Sequence, residues 1–147
     1  YFPGFNLRSS DLNAYLGLQQ INLLDDYCKI RFNIFKHYMS RLPEFWCQTS
    51  NTEFISSFAY GTFVQNPTEV WEYMRDNGVE TRPLICGSMG QQPFWKDFNN
   101  GYSDFLYANQ VHDFGIYLPN NADLDKSQID KVCDLFQEVA IPYQIDD

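Results

Sequence analysis

The chain has 147 residues, of which 44% are hydrophobic and 18% are aromatic. This composition is sufficient for one globular domain with a hydrophobic core and is too apolar for a disordered chain. The formal net charge of −9 argues against a nucleic-acid-binding protein, because neutralising phosphates requires clustered Lys and Arg. No apolar run approaches the roughly 18 residues of a membrane-spanning helix, so we expect a soluble protein without nucleic-acid or membrane partners.

The sequence contains no recognisable catalytic or metal-binding set of its own. Its four cysteines are widely separated: Cys28, Cys47, Cys86 and Cys133. Zinc and redox motifs use closely spaced pairs, so this dispersal predicts reduced thiols and a cytoplasmic location. His37 and His112 each lie in a predicted helix, where an isolated histidine is more often structural than catalytic. Neither a GxSxG nucleophile motif nor a GxxxxGK phosphate loop occurs.

Two apolar stripes predict helices near the start of the chain. Ser9 or Ser10 is placed to cap the first helix. Its apolar positions are Leu12, Leu16, Leu18, Ile21 and Leu24. They cover more than one side, which indicates a helix that is buried on several sides. The second stripe runs through residues 27–42 and ends at Pro43, and the two stripes could form one helix bent near residues 25–26.

A strand and a third helix are predicted next. Residues 58–64 alternate in the manner of a half-buried strand. Asn66, Pro67 and Glu69 then form a capping-box-like helix start, in which Pro67 occupies the first helical position. Gly78 stands where a left-handed residue would end this helix.

The following segment predicts an edge strand, a loop, a helix and a further strand. Residues 79–84 are typical of a strand, and Pro83 places it near the edge of a sheet because proline lacks the N–H needed for pairing. Residues 86–101 are rich in Gly, Gln, Pro and aromatic residues and are predicted to form a loop. A helix over 103–113 and a strand over 114–118 complete this segment.

The C-terminal segment predicts a last helix, with Asp125 and Gln128 as a capping pair. One face of this helix carries Ile129, Val132, Cys133, Phe136 and Val139. Together the elements predict an α+β fold, in which a small antiparallel or mixed sheet is covered by helices. Residues 1–147 are expected to form a single domain.

Several segments resemble one enzyme family. Residues 4–18 read GFNLRSSDLNAYLGL and are similar to the GYNxR…ELQAAxGL segment of the DegT/DnrJ/EryC1/StrS sugar aminotransferase family. The likeness continues, in the family's order, at residues 19–25, 78–84, 92–95 and 118–120. It spans about residues 3–139, so the chain resembles the C-terminal small domain of these enzymes.

The resemblance implies a type I aminotransferase-like enzyme that uses pyridoxal phosphate or pyridoxamine phosphate and acts on a sugar nucleotide. In such enzymes a large domain precedes the small one and supplies the lysine that binds the cofactor covalently. The five lysines of this chain lie outside the matching motifs, so we expect the large domain to be absent and the chain to be inactive alone. The surplus apolar surface of the first helix would then face that large domain and the second subunit of a homo-oligomer.

The resemblance also implies roles for individual residues. Asn6 would donate a hydrogen bond to the cofactor phosphate across a dimer interface, and Arg8 would support that loop or pair with a carboxylate. Arg82 would contact the sugar nucleotide, since a guanidinium matches phosphate geometry. Ser88 and Gln92 are further substrate-binding candidates. The structural alternatives are a turn for Asn6 and a surface ion pair for Arg82.

The 81–95 stretch favours one branch of the family. It is similar to the RPLxxGNxxxQPFW pattern of the 3-dehydrases that act on 4-keto-6-deoxy sugar nucleotides in deoxysugar biosynthesis, with Ser88 in the place of Asn. The common aminotransferases instead carry a YxPLH pattern, and no His follows Leu84 here. An aminotransferase remains the alternative within the family. The alternative outside it is a free-standing, non-enzymatic binding or oligomerisation module.

Overall fold

The structure, a computed structural model, describes residues 9–49, 54–85, 87–99 and 105–143. Its helices are α1 (Asp11–Ile21), α2 (Leu24–Arg41), α3 (Pro67–Asp76), α4 (Pro93–Asn99), α5 (Leu106–Phe114) and α6 (Lys126–Val139). Its strands are β1 (Ala59–Phe63), β2 (Arg82–Pro83) and β3 (Gly115–Pro119). The strands form an antiparallel sheet in the order β1-β3-β2, which confirms the predicted α+β class.

Helix α1 begins as predicted, because the Ser10 Oγ accepts a hydrogen bond from the Asn13 N–H at 3.3 Å. A turn then separates α1 from α2, and in it the Leu23 N–H donates to the Gln20 carbonyl at 3.0 Å. The two apolar stripes therefore belong to two helices rather than to one helix bent near residues 25–26. No residue of α1 is buried, so the described chain leaves its apolar sides uncovered.

The central strand β3 pairs with both other strands. Tyr60 lies opposite Leu118, and Thr62 lies opposite Ile116. All four residues are buried, and the three apolar ones pack against buried side chains of α2, α3 and α6. These helices therefore cover one face of the sheet.

Strand β2 is shorter than the strand predicted over 79–84, since it comprises only Arg82 and Pro83. It pairs with β3 alone among the described strands, so the edge position that Pro83 predicts is confirmed. Immediately after Pro83, the Leu84 N–H donates to the Gly115 carbonyl at 3.0 Å, which ties the end of β2 to the start of β3.

The described part of the 86–101 stretch is more helical than the predicted loop. A 3-10 turn at Met89–Gln91 leads into α4, which begins with Pro93. Proline is well placed at the first position of a helix, where its missing N–H would have no partner within the helix. Helix α5 begins at Leu106, and β3 starts one residue later than predicted.

The predicted side-chain cap of α3 does not form. The Asn66 Oδ1 accepts the Ile141 N–H at 3.0 Å, and its Nδ2 donates to Glu69 at 2.8 Å and to the Val139 carbonyl at 2.9 Å. Asn66 thus joins the start of α3 to the end of α6. Gly78 has φ +76°, which confirms its predicted left-handed conformation after α3.

Helix α6 begins with the predicted capping box. The Asp125 carboxylate accepts the Gln128 N–H at 2.8 Å, and the Gln128 side chain accepts the Asp125 N–H at 2.9 Å. Its buried residues are Ile129, Val132, Cys133 and Phe136, as the apolar stripe predicts, while Val139 is partly buried. Burial raises the pKa of the Cys133 thiol to about 11.

Tyr38 connects α2 to the sheet. The residue is fully buried, and its hydroxyl donates to the Pro119 carbonyl at the end of β3 at 2.8 Å. Its ring stacks on Tyr60 of β1, with the centroids 4.9 Å apart. Burial raises the pKa of Tyr38, so the phenol remains protonated and continues to donate this bond.

Ionic contacts join α2 to α6 at the edge of the core. The Arg41 guanidinium lies 2.6 Å from the Asp130 carboxylate and also contacts Asp134. The His37 Nε2 lies 2.7 Å from the same Asp130 oxygen. These contacts, with His37 the larger cause, hold the pKa of Asp130 below its usual value. His37 therefore has the structural role that the sequence predicts.

Replacing Phe136 with Ala is expected to lower the free energy of unfolding by about 3–5 kcal/mol, because the mutation removes a large side chain from the core. Phe136 is fully buried, and its ring centroid lies 4.9 Å from that of Phe45. Urea denaturation measures the effect. Lys131→Ala, on the exposed side of α6, is the control and should change the stability by no more than about 0.5 kcal/mol. A Phe136 effect as small as the control would show that α6 does not pack as described.

Candidate functional site

The face of the sheet opposite the core carries one row of residues across the three strands. Arg82 lies opposite Tyr117, and Tyr117 lies opposite Gly61. Paired residues share a face, while neighbours along a strand alternate between faces. Leu84 lies close to Gly61, because its Cδ1 would be 2.9 Å from a Cβ at position 61. The row thus places a guanidinium beside an aromatic ring.

Two depressions are located at this face. The first has a volume of about 450 Å³, and its lining includes Phe54, Phe58, Leu84, Ile85 and Tyr117. The second has a volume of about 320 Å³, and its lining includes Phe58, Glu80, Arg82, Tyr117 and Asn120. Phe58 and Tyr117 line both, with ring centroids 5.2 Å apart in an edge-to-face arrangement. The two together offer apolar surface next to a cation, which suits a ligand with an apolar part and an anionic part.

Arg82 is exposed, and its guanidinium donates to Glu80 Oε1 from Nη2 at 2.6 Å and from Nε at 2.9 Å. Arg82 therefore forms a surface ion pair, which is the structural alternative to a role in substrate binding. An exposed pair of this kind stabilises a protein by only about 0–1 kcal/mol. The guanidinium can exchange this carboxylate for a phosphate at low cost, so the ion pair is compatible with ligand binding.

Ser88 and Gln92 are adjacent to each other but line neither depression. Ser88 is fully buried, and its Oγ has no hydrogen-bond partner among the described residues. The Ser88 carbonyl accepts the Gln91 N–H at 3.2 Å and the Gln92 Nε2 at 3.5 Å. The burial of Ser88 gives it a structural position at the start of the 3-10 turn, while Gln92 is partly exposed.

The turn before Ser88 packs against His112 of α5. The Ser88 N–H donates to the His112 Nδ1 at 3.2 Å. Gly87 has φ +71°, and a Cβ at this position would lie only 1.9 Å from the same nitrogen. Position 87 therefore requires glycine twice, once for its backbone conformation and once for the space that the imidazole occupies.

Two aromatic residues of this region have no sequence pattern that marks them as part of a site. Phe58 and Tyr117 are ordinary strand aromatics in the sequence, and only the pairing of β1 with β3 brings them together. Asn120 follows β3 and is almost fully buried, with its Nδ2 donating to the Ser57 carbonyl at 2.8 Å and to the Arg31 carbonyl at 3.3 Å. Asn120 does carry sequence signals, because residues 118–120 belong to the segments that resemble the family and an asparagine directly after a strand is typical of a turn.

The described residues do not fit pyridoxal phosphate by themselves. All five lysines are exposed: Lys29, Lys36, Lys96, Lys126 and Lys131. A lysine that binds this cofactor covalently needs an enclosed position, and none of the five has one. The predicted cofactor-binding residues Asn6 and Arg8 lie outside the described residues, so their roles remain predictions.

The described ranges contain neither a cluster of metal ligands nor a membrane-spanning helix. No group of three or more His, Cys, Asp or Glu residues there could hold a metal ion. No helix there is long and apolar enough to cross a membrane.

Comparisons with known proteins identify relatives of this chain. The model of the DegT/DnrJ/EryC1/StrS aminotransferase family matches residues 1–137. No curated protein matches the sequence. Among solved structures, the PMP form of Spr1654 from Streptococcus pneumoniae superposes with a TM-score of 0.80 at 18% identity, covering 93% of this chain and 36% of that one.

Two further structures have the same fold. Helicobacter pylori PseC, an aminotransferase of pseudoaminic acid biosynthesis, has a TM-score of 0.79 at 17% identity, with 94% of this chain and 39% of that chain covered. The E. coli GDP-4-keto-6-deoxy-D-mannose-3-dehydratase with bound hydrated PLP has a TM-score of 0.77 at 16% identity. The match covers 91% of this chain and 37% of that chain. The chain thus spans less than two-fifths of the length of each of these three proteins.

Replacing Gly87 with Ala should destabilise the protein more than replacing Gly78 with Ala. Both glycines have positive φ, so each substitution costs about 1–2 kcal/mol for the left-handed backbone. A Cβ at position 78 meets no atom within 4 Å, whereas one at position 87 collides with His112. The collision should add about 1–3 kcal/mol to the Gly87→Ala effect in urea denaturation. Equal effects would show that His112 does not pack against the turn.

Proposed function

Because the chain belongs to the DegT/DnrJ/EryC1/StrS aminotransferase family, we propose that it is the small domain of an enzyme that modifies a sugar nucleotide. The enzyme would depend on pyridoxal phosphate or pyridoxamine phosphate. The observation that carries this proposal is the family match over residues 1–137. The domain also covers only 36–39% of each compared structure, as a small domain of a longer enzyme would. Two of those enzymes are named for pseudoaminic acid biosynthesis and for a GDP-linked keto sugar, which supports the substrate class.

The cofactor would be held mainly by a large domain of the same polypeptide. The exposure of every lysine in this chain supports this division of labour, because none of the five lies in an enclosed position suited to the cofactor. Asn6 would complete the phosphate site of the neighbouring subunit, with Arg8 supporting it, so that two copies are needed for two complete sites. The free thiols of Cys28, Cys47 and Cys133 agree with an enzyme of the reducing cytoplasm.

The contribution of this domain to substrate binding would come from Arg82 and its surroundings. The guanidinium would bind the phosphates of the sugar nucleotide, with Ser88 and Gln92 supporting the adjoining segment. The rings of Phe58 and Tyr117 border the same depression and offer apolar surface to the planar or deoxygenated part of the substrate. Arg82 acts by charge and by two parallel N–H donors, so it contributes binding rather than proton transfer.

Within the family, we favour a 3-dehydrase that acts on a 4-keto-6-deoxy sugar nucleotide over an aminotransferase. The absence of a His after Leu84 supports this choice. The two reactions differ in their products, because a dehydrase removes the 3-hydroxyl group and an aminotransferase adds an amino group. Mass spectrometry of the sugar nucleotide after incubation with the full-length enzyme, with and without glutamate, distinguishes them. A product that gains nitrogen would overturn the dehydrase assignment.

A free-standing binding module is the second candidate, and one observation favours it. The core formed by α2, α3, α6, β1 and β3 is continuous within this chain, so the domain is able to fold alone. The exposed apolar side chains of α1 argue against a free-standing module, because such a module would leave them in contact with water. The length of the native polypeptide decides between the two, because a product that includes the large domain favours the enzyme.

In the full-length enzyme, Arg82→Ala is expected to raise the KM for the sugar nucleotide about 10- to 100-fold, because a hydrogen bond to a charged group contributes about 1.5–3 kcal/mol. Arg75→Ala is the matched control. Arg75 is similarly exposed and also pairs with a neighbouring carboxylate, that of Asp76 at 3.1 Å. Its KM should remain within about twofold of the wild-type value. Equal effects of the two variants would count against substrate binding by Arg82.

The isolated chain should self-associate through α1 in sedimentation velocity experiments. The apolar residues Leu12, Tyr15, Leu16, Leu18 and Ile21 are each more than half exposed. We expect these side chains to form an apolar patch larger than a monomer usually leaves open. Leu16→Glu should shift the chain towards monomer, whereas Gln20→Glu adds the same charge to α1 without removing apolar surface and should not. A strict monomer at high concentration would contradict the proposed interface.

A further inference from the structure

His112 holds the backbone of the turn after β2 through one ring nitrogen. Its Nδ1 accepts the Ser88 N–H at 3.2 Å. A neutral imidazole has one N–H and one bare nitrogen, so this bond requires the proton to be on Nε2. The contact therefore selects one tautomer of His112, and only the neutral ring is able to make it.

The contact is closely packed and partly buried. Ser88 is fully buried. The space that a Cβ would need at Gly87 is taken by the imidazole, whose Nδ1, Cε1 and Cγ would lie 1.9, 2.9 and 2.9 Å from it. A buried backbone N–H that loses its acceptor costs about 1–3 kcal/mol, so this turn depends on the acceptor at position 112.

The residues that follow are linked to Ser88 in turn. The Ser88 carbonyl accepts the Gln91 N–H at 3.2 Å and the Gln92 Nε2 at 3.5 Å, and the Gln92 N–H donates to the Met89 carbonyl at 3.1 Å. A change at the His112 contact would therefore be transmitted along the 87–92 segment to Gln92.

The same part of α5 also anchors β2. At the junction of α5 and β3, the Gly115 carbonyl accepts the Leu84 N–H at 3.0 Å. A Cβ at position 115 would lie 2.4 Å from the Val111 carbonyl oxygen and 2.6 Å from the Leu84 Cβ, so the three residues are in close contact. His112 and Gly115 thus attach the 87–92 segment and the end of β2, which carries Arg82, to one rigid junction.

We infer that His112 is a positioning residue for the substrate site. By accepting the Ser88 N–H, it fixes the 87–92 segment on the junction of α5 and β3, so that Gln92 and Arg82 keep a constant relation to each other. The hydrogen bond stands on the geometry alone. Its consequence for the substrate rests on the proposed function.

Two variants separate the acceptor from the shape of the side chain. Asn Oδ1 is the same number of bonds from Cα as His Nδ1, so His112→Asn keeps an acceptor at this place. His112→Leu has the same branched shape as His112→Asn but provides no hydrogen-bond acceptor. We expect hydrogen exchange of the Ser88 amide to accelerate about tenfold or more in His112→Leu and to remain within about threefold of wild type in His112→Asn. Equal acceleration in both variants would overturn the inference.

A measurement on the wild-type protein tests the same contact even if a variant fails to fold. Nitrogen-15 NMR should show the Nδ1 of His112 unprotonated and the Nε2 protonated at neutral pH. A proton on Nδ1 would exclude it as the acceptor and overturn the inference without any substitution.

Nucleotide affinity of the full-length enzyme tests the consequence for the substrate. GDP, UDP and dTDP serve as probes in calorimetry. For whichever binds the wild type, His112→Leu should weaken binding about tenfold and His112→Asn by no more than about threefold. Accelerated Ser88 exchange with unchanged affinity would overturn the positioning role. No binding of any of the three by the wild type would instead count against the proposed function, since the exchange measurement needs no ligand.

Discussion

Successive residues of β3 point to opposite faces of the sheet, and both the core and the candidate site are built on this alternation. Ile116 and Leu118 are fully buried beneath α2, α3 and α6. Tyr117, between them, faces the depressions that Phe58 and Arg82 also line. The helices that stabilise one face of the sheet thereby hold the other face in place. Because Tyr38 bonds to the carbonyl at the end of β3, the position of the strand is set by contacts in the core.

The apolar surface of the described chain is divided between a continuous core and one exposed helix. The core is formed by α2, α3, α6, β1 and β3, and α1 contributes no buried residue. The apolar side chains of α1 therefore lie outside the core of the described residues. The proposed large domain and second subunit would supply the surfaces that cover them.

The sequence predicted helix caps correctly where the capping side chain and the backbone N–H that it accepts lie within one helical turn. The capping box of Asp125 and Gln128 and the Ser10 cap both form, because nothing distant competes for these groups. Asn66 carries the same local signal as Asp125, yet its oxygen bonds to Ile141 instead of capping α3. The end of α6 lies next to it only in the folded chain, so the sequence could not reveal this competition.

The sequence by itself determined the α+β class, the edge position of Pro83 and the family motif that contains Arg82, since each depends on residue type and short-range order. Only the tertiary structure decided what surrounds Arg82 and Ser88. Phe58 and Tyr117 are 59 residues apart in the chain, and His112 lies 24 residues after Ser88. Their contacts follow from strand register and from the packing of α5, which depend on the whole core. The burial of Ser88 was decided in the same way, because no short pattern specifies which serine the fold encloses.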